Sequence, residues 1–113
     1  MRFLLLIGGE PVDGAASSKE ICAEDEAVAW VEEMTRRGVY VSGELLRPAE
    51  QARTVRVRDD EVLLADGPFA ETKEQIGGLS VIECADLAEA VEVASTHPVA
   101  RFGMVEVRPL WQP

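Results

Sequence analysis

The apolar positions of this chain follow two different periods, and each period predicts its own kind of element. The run Phe3–Ile7 is apolar at every position, which is typical of a strand that is buried on both faces of its sheet. Residues 54–58 alternate strictly, with two valines on one face and Arg56 and Arg58 on the other. The sequence therefore predicts a central strand near the start and a half-exposed strand near the middle.

Two segments carry the helical period instead. Apolar residues recur at i, i+3, i+4 and i+7 in both, as expected for amphipathic helices that each bury one stripe. The predicted stripes are Ala27, Trp30, Val31 and Met34 in the first helix, about residues 20–37, and Leu87, Ala90, Val91 and Ala94 in the second. Capping boxes are predicted at Ser17 with Glu20 and at Asp86 with Glu89, and Gly38 is a natural end for the first helix.

Turn-forming residues divide the rest of the chain. Asp59-Asp60 separates two apolar runs, so residues 53–65 are expected to form a hairpin. Residues 65–78 hold three Gly and one Pro, and they are predicted to form a loop between rigid strands. Strands are expected again at residues 79–84 and 104–108.

The resulting order is strand, helix, strand, hairpin, strand, helix, strand. Two β-α-β units of this kind predict one α+β domain over residues 1–113, a ferredoxin-like sandwich with an inserted β-hairpin. Each helix has one apolar stripe, so both helices must pack on the same sheet face. The first strand is nevertheless apolar on both faces, and we expect a second copy of the chain to cover the other face in a homodimer.

The charge and the cysteines narrow the possible partners. The net charge of −10, from 21 acidic and 11 basic residues, argues against nucleic acid as a main partner. The two cysteines form no disulfide framework and no zinc spacing, and neither a metal nor a cofactor is expected. The opening apolar run is too short for a signal peptide or a membrane span, which predicts a cytoplasmic protein with no membrane partner.

One stretch also carries a family resemblance. Asp66-Gly67-Pro68-Phe69-Ala70-Glu71-Thr72-Lys73-Glu74, followed by Gly77-Gly78, resembles the signature of the DGPF group of YCII-related proteins. Further matches lie at Phe3–Ile7, Gly43–Leu45, Thr54–Arg56, His97-Pro98 and Val105–Pro109. The resemblance implies a dimeric α+β barrel of ferredoxin-like subunits. Its members are often encoded beside extracytoplasmic-function sigma factors, which implies a signalling context.

The chain departs from the wider YCII-related pattern at the active site inferred for that family. The resemblance assigns this site to a His on the first helix and to an Asp before a Pro at the end of the second helix. This sequence has no His between residues 20 and 37, and it has His97-Pro98 in place of Asp-Pro. The acid–base pair is therefore not carried over to this chain.

Three groups of residues are candidates for a site, and each has a structural alternative. The loop residues Asp66, Phe69, Glu71, Thr72 and Lys73 either line a small-molecule pocket or simply build a turn with solvated charges. Arg56 and Arg108 either bind an anionic ligand or form ion pairs at the surface or at the dimer interface. His97 either caps the last carbonyls of the second helix, where a cation is favoured, or acts as a general base or a pH-responsive group.

Three classes of function fit these residues. The first is a small-molecule-binding or sensing dimer with a pocket formed by Arg56, Arg108 and the 66–73 loop. The second is a small enzyme for proton transfer on an organic acid or lactone, with His97, Asp66 or Glu71 as acid–base groups. The third is a structural or protein-interaction module whose acidic surface meets a basic partner.

Overall fold

The computed structural model describes residues 1–10, 18–68 and 74–111. Its strands are β1 (Arg2–Gly9), β2 (Tyr40–Leu45), β3 (Arg53–Arg58), β4 (Glu61–Asp66), β5 (Gln75–Glu83) and β6 (Met104–Pro109). Its helices are α1 (Ser18–Arg36) and α2 (Leu87–Ser95), with 3₁₀ turns at Ala49–Gln51 and Pro98–Arg101. The described elements follow the predicted order, and they form an α+β fold.

The main sheet has four antiparallel strands in the order β2-β5-β1-β6, while β3 and β4 form a separate two-stranded hairpin. In the main sheet β1 lies between β5 and β6, as its continuous apolar run predicts. The connections β1-α1-β2 and β5-α2-β6 give this sheet the strand order of ferredoxin-like domains.

Both helices pack on one face of the main sheet, as predicted. Phe3 and Ile82 are opposite one another on β1 and β5, and neither is exposed. Around them lies a single cluster of buried side chains from the sheet and from both helices. Its buried members are Phe3, Leu5, Trp30, Met34, Val39, Ile82, Cys84, Ala90, Val93 and Ala94.

The stripe of α2 differs from the predicted one. Ala90, Val93 and Ala94 are buried, whereas Leu87 and Val91 are 49% and 51% exposed. The helix is apolar around much of its circumference, so its periodicity does not decide which side meets the sheet. The position of the helix on the sheet makes that choice, and it turns Val93 inward.

The helix ends are built as the sequence indicates. The Asp86 carboxylate accepts the Glu89 backbone N–H at 2.9 Å, and the Glu89 carboxylate accepts the Ala85 N–H at 3.4 Å. At the end of α1, Gly38 has a φ of +75°, and the next N–H, that of Val39, donates to the Met34 carbonyl at 2.9 Å. The predicted cap Ser17 lies outside the described residues.

The Asp86 cap leads to a testable expectation. Replacing Asp86 with Ala should lower the free energy of unfolding by about 1 kcal/mol, because one N–H in the first turn of α2 loses its acceptor. Urea denaturation measures this change. Glu92→Ala, an exposed change on the same helix, is the control and should have an effect below about 0.5 kcal/mol. Equal effects of the two substitutions would contradict a capping role.

The stretch 65–78 is only partly a loop, which corrects the sequence prediction. Strand β4 continues to Asp66, and β5 already begins at Gln75. Gly78 is a ladder residue with Ile7 on one side and Leu45 on the other. Glycine indicates a turn when its neighbours are also turn formers. Here β1 and β2 provide hydrogen-bonded neighbours on both sides of Gly78, and this pairing holds Gly78 in an extended conformation.

The hairpin forms as predicted, but it does not pack on the helices. Asp59 and Asp60 have φ angles of 51° and 63°, as a two-residue type I′ turn requires. Val55 and Val57 are 59% and 56% exposed, so the face that they share is not part of the core. The two valines therefore remain in solvent and do not meet the helices.

The other face of the main sheet carries an apolar stripe, named here the open face, formed by Leu4, Leu6, Leu79 and Val81. These residues are paired across β1 and β5, and each is half-buried. The shortest dimension of the molecule is 18 Å, which fits one sheet with one layer of helices. Across the described ranges, no helix is long and apolar enough to cross a membrane.

Candidate functional site

The hairpin places two of the predicted site residues on opposite faces. Arg56 is paired with Leu63 across the hairpin, whereas Asp66 is paired with Arg53. Leu63 and Asp66 are an odd number of residues apart on β4, so Arg56 and Asp66 lie on opposite faces. The Asp66 carboxylate lies 3.2 Å from Arg53 Nε and its side chain is 88% exposed, so this is a solvated ion pair. The hairpin itself therefore does not bring Arg56 and Asp66 to one pocket.

Arg108 lies on the main sheet, not on the hairpin. Its Nη2 atom is 2.6 Å from Glu106 Oε2, two residues earlier on the same face of β6. This is one of the ion pairs that the sequence left open as an alternative to an anion site. Both residues flank the open face, because they are paired with Leu4 and Leu6 of β1.

The remaining loop candidates, Phe69, Glu71, Thr72 and Lys73, lie outside the described residues. The start of their loop, at Gly67, is described and is hydrogen-bonded to the base of the hairpin. Gly67 has a φ of +86°, its N–H donates to the Ala52 carbonyl, and its carbonyl accepts the Thr54 hydroxyl, each at 2.8 Å. A ligand site built on this loop stays a prediction.

His97, by contrast, lines a groove between α1 and the end of α2. The groove has a volume of about 580 Å³ and is open to solvent. Its lining combines a side of α1 that borders the core with the segment that follows α2. The lining residues are Glu26, Ala29, Trp30, Glu33, Met34, Arg37, Ser95, Thr96, His97, Pro98 and Arg101.

The floor of this groove is a connected set of contacts between the two helical segments. The Trp30 indole N–H donates to Thr96 Oγ1 at 2.9 Å, and the Thr96 hydroxyl donates to the Val93 carbonyl at 2.6 Å. The Trp30 and His97 rings meet edge to face, with centroids 4.8 Å apart. These contacts hold the imidazole in one orientation.

His97 is a cap, but not the cap that the sequence predicted. Its Nδ1 accepts the Val99 backbone N–H at 3.1 Å, so it caps the 3₁₀ turn that follows and not the last carbonyls of α2. The side chain is only 5% exposed, and burial lowers the pKa of His97 from 6.5 to about 4. At neutral pH the imidazole is therefore uncharged, not the cation that a helix C-terminus would favour.

This geometry also determines what His97 can do chemically. Because Nδ1 accepts a hydrogen bond, the neutral ring carries its proton on Nε2. Across the described ranges, Nε2 makes no hydrogen bond to the protein. A depressed pKa and an occupied Nδ1 make His97 a poor general base and a ready hydrogen-bond donor.

The charges at the rim of the groove are unevenly paired. Glu26 contacts Arg101, and Glu33 contacts Arg36, whose hydrogen bond lowers the pKa of Glu33. Arg37 donates only to the Met34 sulfur, at 3.6 Å, and forms no ion pair in the part of the chain that the structure describes. The groove thus presents one guanidinium that forms no salt bridge among the described residues, although its charge also helps to lower the pKa of Glu33.

Sequence reasoning identified His97 but missed its neighbours. Trp30 was assigned to the core, which is correct, yet its ring also forms one wall of the groove. Trp30, Glu33, Met34 and Arg37 recur at helical spacing, so the same stripe that enters the core continues to the groove rim. Thr96 and Arg101 have no such signal, because only the packing against α1 of the segment that follows α2 places them there.

The fold and the groove together define a class, an α+β protein with a candidate small-molecule site between its two helices. Within that class the chain belongs to the YCII-related domain family, which it matches over residues 1–112. An uncharacterised protein of Rhizobium meliloti strain 1021 is 39% identical to this chain in an alignment 117 residues long. The alignment covers 97% of this chain and 92% of that protein.

A solved structure with a similar fold is 5-chloro-2-hydroxyhydroquinone dehydrochlorinase (TftG) of Burkholderia phenoliruptrix AC1100, in complex with 2,5-dihydroxybenzoquinone. The likeness covers 100% of this chain and 96% of that one, with a TM-score of 0.55 and 16% sequence identity. At this identity the likeness concerns the fold alone.

Proposed function

We propose that this chain is a small-molecule-binding protein that acts as a homodimer, and that the groove between α1 and the end of α2 is its ligand site. The observation that carries the proposal is the convergence on one groove of an aromatic wall, a neutral imidazole and a guanidinium that has no salt bridge among the described residues, from Trp30, His97 and Arg37. An apolar wall with few convergent polar groups is the usual composition of a ligand pocket.

The chemistry of these groups indicates a planar or ring-shaped anion of modest size. Arg37 favours a carboxylate or phenolate, because a guanidinium binds such oxygens through paired N–H donors. The neutral His97 adds one further donor, and the Trp30 ring offers an apolar edge. The quinone bound to the dehydrochlorinase of similar fold is a small ring of this kind.

An enzymatic role is the second candidate, and it is favoured by the similar fold of that dehydrochlorinase. His97 and Trp30 occupy the same two elements, the end of the second helix and the first helix, that the family resemblance assigns to an acid–base pair. A neutral imidazole can polarise a carbonyl or enolate oxygen by hydrogen bonding without acting as a base. On this proposal His97 would assist proton transfer on an organic acid or lactone as an electrophile.

Further parts of the proposal rest on the sequence. The Asp66–Glu74 motif supports membership of the DGPF group and a sensing role linked to sigma factors, and two cysteines without a disulfide framework support a cytoplasmic location. The open face supports a homodimer whose sheets pack face to face in an α+β barrel, because the Leu4, Leu6, Leu79 and Val81 side chains remain half-buried in a single chain. A second site on the 66–73 loop, with Arg56 or Arg108, remains part of the proposal.

Ligand titration tests the groove directly. We expect 2,5-dihydroxybenzoquinone or benzoate to raise the melting temperature and to shift the His97 imidazole resonance in NMR spectra. Ligand at about 100 times its Kd should stabilise the fold by about 2.7 kcal/mol. Arg37→Gln should weaken binding about 10- to 100-fold, because a hydrogen bond to a charged group is lost.

The neighbouring Arg36 provides a matched control. It is exposed, pairs with Glu33 and does not line the groove, so Arg36→Gln should change the Kd by less than about 3-fold. Equal effects of the two substitutions would contradict a specific role for Arg37. If Arg56→Gln or Asp66→Asn weakens binding and Arg37→Gln does not, the ligand site lies at the hairpin loop and the groove proposal is wrong.

A further inference from the structure

The hairpin formed by β3 and β4 has one face that is apolar from Val55 to Leu64 and that its own subunit leaves in solvent, with the Arg53–Asp66 ion pair at the base of the same face. Val55 is paired with Leu64 and Val57 with Val62, so these four side chains share a face. They are 59%, 66%, 56% and 65% exposed, in that order. We name these four residues the hairpin's apolar face.

The opposite face of the same hairpin is largely polar. It carries Thr54, Arg56 and Arg58, with Glu61 opposite Arg58 and Leu63 opposite Arg56. The hairpin is therefore amphipathic, with one face suited to solvent and the other suited to an apolar contact. A surface strand with no partner would be expected to show polar residues on both faces.

The hairpin also stands away from the rest of its subunit. Its ladder is separate from the main sheet, and Gly67 hydrogen-bonds to Ala52 and Thr54 at its base. The radius of gyration is 15.9 Å, against about 13 Å for a compact domain of this length. A two-stranded hairpin is only marginally stable alone, so a contact on its apolar face would hold it in place.

The size of the apolar face indicates what covers it. Four aliphatic side chains exposed to this degree present roughly 300–400 Å², while a stable interface buries about 800 Å² on each partner. The hairpin alone is therefore too small to form a complete interface, and it must extend a larger one. Among the described residues, the open face of the main sheet is a second apolar surface that both helices leave uncovered.

We propose that the hairpin is a dimerisation arm whose apolar face packs against a second copy of this chain, adjoining the contact between the open faces. This inference rests on the proposed homodimer and adds a contact that the barrel itself does not require. A two-fold dimer uses every contact twice, so each subunit receives one arm and contributes one. The arm then covers four side chains on each subunit that would otherwise remain in water.

Adjacent leucines on opposite faces provide a matched test. Leu64 lies on the apolar face and Leu63 on the polar one, so Leu64→Lys and Leu63→Lys make the same change on opposite sides of one strand. By sedimentation equilibrium, the wild type should be dimeric at micromolar concentration. Leu64→Lys should weaken the dimer about 30-fold or more, and Leu63→Lys should weaken it less than about 3-fold.

Each outcome separates the arm from the dimer itself. A monomeric wild type would overturn both the homodimer and the arm. A Leu64→Lys protein that dimerises like the wild type would overturn the arm alone and leave the sheet-face dimer standing, and so would equal weakening by the two substitutions. Leu64→Thr keeps a good strand former and should weaken the dimer in the same direction as lysine, which excludes loss of the hairpin as the cause.

Discussion

Replacing Phe3 with alanine is expected to lower the free energy of unfolding by about 3–5 kcal/mol, the largest loss of any substitution considered for this protein. Phe3 is not exposed at all, and it lies on the central strand, opposite Ile82 on β5 and Pro109 on β6. The strands on both sides limit how far the core can collapse into the space. Since natural domains are stable by about 5–15 kcal/mol, the variant should be marginally folded.

Urea denaturation at fixed protein concentration measures this loss, with circular dichroism as the signal. Val28→Ala is a suitable control, because Val28 lies on α1 but is 58% exposed, and the expected change is within about 0.5 kcal/mol. A loss below about 1 kcal/mol for Phe3→Ala would show that the helices move to fill the space. The core would then be less rigid than its burial indicates.

Acidification should destabilise the fold through His97. The pKa of His97 is lowered by burial from 6.5 to about 4, so between these values the unfolded chain binds a proton that the folded chain does not. By linkage, the free energy of unfolding therefore falls as the pH is lowered through this window, and the His97 contribution is lost once the pH is below about 4. The total loss is on the order of 3 kcal/mol.

Two measurements isolate this contribution. His97 is the chain's single histidine, so one imidazole resonance titrated by NMR reports its pKa without ambiguity. His97→Asn retains an acceptor for the Val99 N–H but does not titrate, so its stability should fall less steeply than that of the wild type from pH 7 to pH 4.5. The carboxylates Glu26 and Glu33 at the groove remain in both proteins and cancel in the comparison. An imidazole pKa near 6.5, or parallel pH profiles, would contradict a buried neutral ring.

Most of the secondary structure could be predicted, because its signals are local. The Asp59-Asp60 turn and the Asp86 cap are each decided by a few neighbouring residues, and the structure confirms both. The errors arise where two local signals are equally strong. Helix α2 has apolar residues on two sides, and either side could have packed on the sheet. At Gly77-Gly78 the glycines are compatible with a turn and with a strand, and the structure has a strand there.

The candidate site was less predictable, because it depends on contacts between distant segments. His97 could be selected as the single His before a Pro, but its protonation state depends on its burial, and the Trp30 ring that it contacts lies 67 positions earlier in the chain. The sequence predicts a pocket from Arg56, Arg108 and the 66–73 loop that begins near Asp66, but it does not orient the Arg56 and Asp66 side chains. The register of the hairpin places them on opposite faces, a consequence of the two-residue period of a strand.

The sequence by itself determined the order of elements, their turns and caps, and an apolar central strand that needs cover on both faces. Those properties follow from periodicity and backbone preference, which act over a few residues. Only the tertiary structure decided that His97 is buried against Trp30 and uncharged, that Arg37 reaches the same groove, and that the hairpin stands apart with its valines in water. Burial and charge pairing are properties of the packed chain, because each depends on which surfaces the other elements leave uncovered.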